Sequence, residues 1–293
     1  MRIVFIGSVK FSQQALSELI AVRANIVGVC TLAKSAINSD HVDLSETAKH
    51  FNIPVRMTPN INDSVSIDWV RSLRPDVIFC FGWSYLLKRE LLSIPSIGTI
   101  GYHPAYLPAN RGRHPLIWAL ALGLTETAST FFFMDEGTDS GDILSQVLVP
   151  IRAEDDASSL YENITQVALS QIRDFLPQLS TKTYTTFPQK DQHANYWRRR
   201  GASDGLIDWR MAATSIHNLV RALTYPYVGA HFLLDGEPIK VWRSEVISEV
   251  PSNIEPGKVI DIDSYGTVVK AGIGAIRLLE TTPHVHLKIG GYL

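Results

Sequence analysis

The sequence predicts an α/β protein: a Rossmann-like, mostly parallel sheet with helices on both faces, followed by a small β-rich domain of barrel-like (OB-like) character. Three observations lead there. Over the first half, apolar strand-like runs alternate with segments whose apolar residues recur at helical spacing. Those runs are apolar nearly throughout, the pattern of strands covered on both faces. Towards the end the helical spacing stops, and five short β-like runs follow one another.

The elements can be taken in order. Residues 2–6 form an apolar run ending at Gly7-Ser8, and Phe11, Ala15, Leu16 and Leu19 then follow helical spacing. Residues 26–31 read as the second strand, 44–51 as a short helix and 54–57 as a short strand. Residues 65–73 are helical, and 76–81 form a buried strand ending at Gly82. Residues 97–103 are the next strand, with His103 at its end; 115–122 are helical, and 129–134 form a Phe-rich strand. Leu160, Ile164, Val167, Ala168, Ile172 and Phe175 mark one face of an amphipathic helix, which Pro177 is expected to break. After a helix around 216–223 come the β-like runs 229–234, 239–246, 257–262, 267–271 and 275–279. Asp235-Gly236 supplies a hairpin turn between the first two. His284-x-His286 reads as two same-face strand residues. The expected division is a catalytic domain over 1–180, a linker over 181–204 and a β-rich domain over 205–293.

Composition narrows the function. The chain has 293 residues, 45% hydrophobic and 19% charged, which is core-forming rather than disordered. A formal net charge of -2 argues against a protein built mainly to hold a polyanion such as tRNA. Cys30 and Cys80 sit in apolar runs and read as reduced core residues. No apolar run reaches membrane-spanning length, and the N-terminal run is too short and β-branched for a signal peptide, so a cytoplasmic location is expected. Gly7-Ser8 lacks the rest of a dinucleotide fingerprint, and no phosphate-binding Gly-x-x-x-x-Gly-Lys occurs, which argues against nicotinamide cofactors and ATP. No metal-ligand cluster is seen in the sequence, and no metal is expected.

The informative stretch runs from Gly101-Tyr-His-Pro through Leu107-Pro108 and Asn110-Arg-Gly-Arg-His-Pro115 to Gly137-Thr-Asp-Ser-Gly-Asp142. It places a histidine and a carboxylate at the ends of neighbouring strands, where together they can move a proton between attacking and leaving groups. Taken singly, His103 could cap a backbone group and Asp139 could be a turn residue. Together, the wording resembles the formyltetrahydrofolate-dependent formyltransferases. The opening Met1-Arg-Ile-Val-Phe-Ile-Gly7 and the later Gly205-Leu-Ile-Asp-Trp209, Arg221-Ala222 and Pro226-x-x-Gly229-Ala230 also resemble that family, so the likeness covers nearly the whole chain.

The resemblance implies His103 and Asp139 as catalytic groups, N10-formyltetrahydrofolate as co-substrate, and an amine as acceptor. It implies that the loop holding Trp83, Tyr85, Leu86 and Leu87 binds the pteridine, largely through backbone groups, although Trp83, Tyr85 and Leu87 also suit plain packing. Asp142 is either the competing carboxylate or a residue that caps or orients its neighbour, and is expected among the folate-binding residues. The family phrase Asn-x-His has Gly101 in its first position here; Asn110 either supplies the missing amide or is a turn residue. Arg111 and Arg113 grip a phosphate or are solvated loop arginines. Tyr196 and Arg198, in Tyr196-Trp-Arg-Arg-Arg200, suit a nucleobase and diphosphate or are a solvated charge run.

Methionyl-tRNA formyltransferase shares this layout but implies a basic loop after the second strand. Residues 32–45 here hold one lysine against Asp40 and Asp43, which argues against nucleic acid. The wording Asn110-Arg-Gly-Arg-His-Pro-Leu-Ile-Trp118 resembles bacterial sugar N-formyltransferases, among them the pseudaminic acid pathway enzyme acting on a UDP-linked 4-amino sugar. The expected partners are therefore a nucleotide-linked amino sugar and folate, with no membrane, and a homodimer through the last domain. Alternatives are methionyl-tRNA formylation, hydrolysis of the formyl donor, and a folate-binding protein that has lost catalysis.

Overall fold

The computed structural model describes residues 1–35 and 39–293. Its contacts divide into two compact units. The first comprises 1–112, 127–149 and 162–197; the second comprises 113–126, 150–161 and 198–293.

The first unit is built on a seven-stranded sheet ordered β3-β2-β1-β4-β5-β7-β8. Its elements are β1 (Ile3–Ile6), α1 (Lys10–Ala21), β2 (Ile26–Thr31), α2 (Ser45–His50), β3 (Val55–Met57), α3 (Ser64–Ser72), β4 (Val77–Cys80), α4 (Arg89–Leu92) and β5 (Gly98–His103). The short β6 (Arg111–Gly112) follows, and after α5 (Pro115–Ala121) come β7 (Glu126–Phe133), β8 (Ile143–Pro150) and α6 (Ala157–Thr181). Strands β1 to β5 pair in parallel, whereas β7 runs antiparallel to β5 with His103 opposite Thr130. Helices cover both faces. One face packs Val4, Ile6, Ile78 and Cys80 against Ile67 and Val70 of α3 and Leu91 of α4. The other is aromatic: Phe81 lies 5.6 Å from Phe5 and 5.1 Å from Phe131, which lies 4.9 Å from Phe175 of α6. Edge-to-face pairs of this kind add to the burial term.

Arg173 of α6 grips Glu18 of α1 bidentately, at 2.5 and 2.8 Å, and this pairing holds the Glu18 carboxyl below its usual range. Cys30 and Cys80 are free and buried, and burial pushes the Cys30 thiol up to about 12, as suits inert core residues.

Two sequence expectations change, and one strand is added to those expected. The amphipathic helix runs through Pro177 to Thr181 instead of breaking. Pro177 is exposed, so the carbonyl it deprives of a hydrogen bond faces water. Strand β8 carried no clear pattern, because Ser145 and Gln146 interrupt its apolar residues and Val147 and Leu148 are exposed. Residues 181–204 are structured: Phe187 bridges Ile143, and β9 (Tyr196–Trp197) pairs in parallel with β6.

The second unit holds α5, α7 (Ala213–Leu223) and a five-stranded sheet ordered β10-β11-β14-β13-β12. Its strands, β10 (Ala230–Leu234), β11 (Glu237–Ile247), β12 (Val259–Asp263), β13 (Gly266–Lys270) and β14 (Ala275–Thr282), pair antiparallel. Asp235 and Gly236 both have positive φ at the expected hairpin. Trp209, Ile216, Val220, Phe232, Val241 and Ile276 form its core. His284 and His286 lie beyond β14 rather than in a strand, with their rings 5.2 Å apart. Among the described residues no helix is long and apolar enough to cross a membrane.

Candidate active site

His103 ends β5 and is buried. Its Nε2 lies 2.8 Å from the Asn110 carbonyl, which can only accept, so Nε2 carries the proton. Its Nδ1 lies 3.6 Å from Asp139 Oδ2. That distance is an electrostatic contact rather than a hydrogen bond. The Gly112 N–H donates to the same Oδ2 at 2.9 Å. A ring between a carbonyl and a carboxylate can hold a positive charge and present it to a developing oxyanion.

The surrounding loops explain how these groups meet. After β5, Thr130 Oγ1 donates to the Ala105 carbonyl and Gln146 Nε2 to the Leu107 carbonyl, fixing residues 104–107 against β7 and β8. Asp139 sits at φ 52° in a turn whose start is closed by Asp135, which accepts from Gly137 N and Ser140 Oγ. Gly112 is required: its φ is 107°, and a Cβ there would stand 2.3 Å from the Trp197 carbonyl. That close approach lets β9 pair with β6 and keeps the Gly112 N–H on Asp139.

Beside these loops an open cleft of about 560 Å³ is lined by Arg89, Leu92 and Ser93 of the α4 region and by Met134, Asp135, Glu136 and Gly137. Its volume is in the range of small-molecule sites. The segment after β4 is clamped by Asn62, which donates to the Leu86 carbonyl at 2.9 Å and accepts from Lys88 N at 2.7 Å. Trp83 Nε1 is buried there without a hydrogen-bond partner. Among the described residues no cluster of metal-ligating side chains occurs.

The family model described as formyl transferase matches residues 1–174, and the formyl transferase C-terminal domain matches 201–287. This chain belongs to the formyl transferase family. It is 32% identical over 284 residues, 96% of this chain and 88% of the relative, to a methionyl-tRNA formyltransferase of Geobacter sulfurreducens. Among solved structures it is similar to WlaRD, a sugar 3N-formyl transferase solved with dTDP and 5-N-formyl-THF. The TM-score is 0.73 at 17% identity, over 97% of this chain and 99% of that one. It is equally similar to the Helicobacter canadensis N-formyltransferase in complex with folinic acid and dTDP-3-aminofucose, with TM-score 0.73 at 17% identity, over 94% and 98% of the chains.

Within this formyl transferase the residues singled out from sequence fare differently. His103, Asp139 and Asn110 converge, but Asn110 meets His103 through its backbone carbonyl, while its N–H donates to Asn195 Oδ1. Arg111 is corrected from phosphate binder to buried scaffold. It is 1% exposed, and its guanidinium donates to Gln189, to the Tyr196 hydroxyl and to Asp191. Leu87 has its side chain buried in the α3–α4 core, the packing alternative, and offers a ligand only backbone. Trp83 is half-buried against the same core, whereas Tyr85 and Leu86 are exposed. Asp142 is exposed, and its carbonyl accepts from Phe133 N.

The space beside Gly101 is filled. A Cβ there would stand 2.8 Å from Met134 Cγ and 3.0 Å from Phe132 Cζ, so the glycine opens no room for a larger substrate. Arg113 and Arg198 belong to the second unit. Arg198 is paired bidentately with Asp204 and lies over the Trp118 ring at 5.4 Å, with Arg200 at 4.5 Å. His114 nearby is held below its usual range by burial first and then by Arg113, Arg199 and Arg200. Sequence reading missed Asn62, Gln189 and Asn195, since nothing in their spacing marks an amide that serves a distant loop.

Proposed function

We propose that this formyl transferase moves the formyl group of N10-formyltetrahydrofolate onto the amine of a nucleotide-linked amino sugar. The observation that carries the transfer chemistry is the pairing of buried His103, at the end of β5, with half-buried Asp139 in the turn before β8, in a chain of this family. The cleft beside residues 134–137 suits a folate ring and its attached group. As the amine attacks the formyl carbon, Asp139 takes the proton it sheds, and the His103 imidazole supports the negative charge growing on the formyl oxygen. The departing folate nitrogen then receives a proton from this pair.

The acceptor class rests on the stretch after β2. Residues 36–38 lie outside the described residues, but the remainder of 32–45 folds back on the first loop. Lys10 N donates to the Asp40 carbonyl, Val42 N donates to the Ser8 carbonyl, and Val9 bridges His41. With one lysine and two aspartates, this stretch makes no basic surface for a nucleic-acid backbone. The two sugar N-formyltransferases named above support the same reading. Exposed Tyr196 is a proposed sugar-nucleotide contact, Asp142 and the 83–87 backbone the proposed folate contacts, and a UDP-linked 4-amino sugar one acceptor to try. The Geobacter relative favours a second reading, methionyl-tRNA formylation.

Mass spectrometry decides between them. The protein is incubated with N10-formyltetrahydrofolate and a set of dTDP- and UDP-linked amino sugars, with initiator methionyl-tRNA in parallel. Gain of one formyl group by a sugar is expected. Formylation of the tRNA alone overturns the sugar reading, and release of folate without any amine indicates a hydrolase.

A further inference from the structure

Gln189 lies in the stretch between the two family matches, 50 residues after Asp139, yet all its hydrogen-bonding capacity is spent on the site. Its Nε2 donates to the Asp139 carbonyl at 2.9 Å and to the Gly141 carbonyl at 2.7 Å. Its Oε1 accepts from Arg111 Nε at 3.1 Å and Nη2 at 2.8 Å. A side-chain amide has two donor hydrogens and two acceptor lone pairs, so this one is saturated.

The partners explain why that matters. Asp139 sits at positive φ, where a non-glycine residue stays only if its surroundings hold it. Gly141 is pressed so tightly that a Cβ would stand 1.8 Å from the Phe133 carbonyl. The two carbonyls flanking this turn are those Gln189 grips. At its other end Gln189 holds Arg111, the residue before Gly112, whose N–H donates to Asp139 Oδ2. One amide therefore fixes both the backbone that carries the carboxylate and the backbone that donates to it.

We propose that Gln189 is a positioning residue for formyl transfer, setting Asp139 against His103 by joining the 139–141 turn to the Arg111–Gly112 strand. The inference rests on the catalytic reading of His103 and Asp139 and is independent of the acceptor. A carboxylate at 189 would still accept from Arg111 but could not donate to the two carbonyls, so Gln189→Glu separates holding the turn from merely partnering Arg111. Gln189→Met removes both halves.

Two measurements test it on the full chain. Hydrogen exchange should show Gly112 and residues 139–142 losing about tenfold or more of their protection in both variants, with the β1–β4 core unchanged. Formyl transfer, measured with N10-formyltetrahydrofolate and dTDP-3-aminofucose, should lose on the order of 100-fold in kcat with little change in the folate KM, as expected for a misplaced catalytic group. Wild-type exchange and kcat in Gln189→Glu would overturn the proposal and leave Gln189 as a partner for Arg111. If Gln189→Met fails to fold, Gln189→Glu still decides, because it keeps the Arg111 pairing. If the wild type formylates no sugar, the acceptor reading fails, and the exchange measurement still decides the role of Gln189.

Discussion

Replacing Gly101 with asparagine restores the wording usual in this family, and the structure says that the restored residue will not fit. The new Cβ would stand 2.8 Å from Met134 Cγ and 3.0 Å from Phe132 Cζ. Met134 is flexible, so the steric share falls at the lower end of the ~1–3 kcal/mol that overpacking costs. The amide would also enter a region packed by Leu107, Phe132 and Ile143, where an unpartnered polar group costs ~1–3 kcal/mol. Together these amount to about 2–4 kcal/mol, which in a unit of this size lowers Tm by roughly 5–15 °C. Adding Met134→Ala should return much of the loss by vacating the space, so the pair should be less destabilised than the sum of the singles. Thermal unfolding of the two singles and the double variant measures this directly. A Gly101→Asn protein with the wild-type Tm would refute the packing argument and reopen the idea that this position is vacant.

Three further outcomes are expected. His103→Ala and Asp139→Ala should each lower turnover by on the order of 10²–10³ while leaving Tm and folate affinity near wild type, and near-normal turnover in either removes it from the catalytic pair. Arg111→Ala should cost on the order of 2–3 kcal/mol of stability, by unpairing Gln189 and Tyr196, without altering the salt dependence of UDP or dTDP binding; calorimetry showing weakened nucleotide binding at unchanged Tm would return Arg111 to the ligand. His114, His217 and His231 are held below their ordinary range chiefly by burial. The unfolded chain therefore takes up protons first, so stability present above about pH 6.5 is lost as pH falls towards the folded values, and a Tm flat between about pH 7.5 and 5.5 contradicts this.

Much of the architecture was legible because buried strands leave a strong mark. Residues 26–31 were bounded as observed, and β1, β4 and β5 were found within a residue or two, since an apolar run ending in glycine or histidine has few alternatives. Strand β8 escaped because its outer residues mix apolar and polar types without a period. Pro177 misled because local propensity ignores which side of a helix faces water. In the site, residue type pointed to His103 and Asp139, whereas Arg111 was misassigned because an arginine in a loop looks the same whether its guanidinium meets solvent or a buried amide. Gln189 had no signal at all: its value lies wholly in partners 48 to 78 positions away.

The pairing of β9 with β6 fixes the order in which the site can come into being. During synthesis His103 and Asp139 emerge early, and the sheet that bears them has all seven strands once residue 150 is out. The segment that clasps the 139–141 turn and lies along Arg111 and Gly112 arrives only with residues 187–197. Until those residues join it, the 139–141 turn lacks the amide that holds it. For the same reason a fragment cut where the first family match stops, at residue 174, would keep His103 and Asp139 and lose their clasp. The shortest piece that retains the complete setting ends after Trp197.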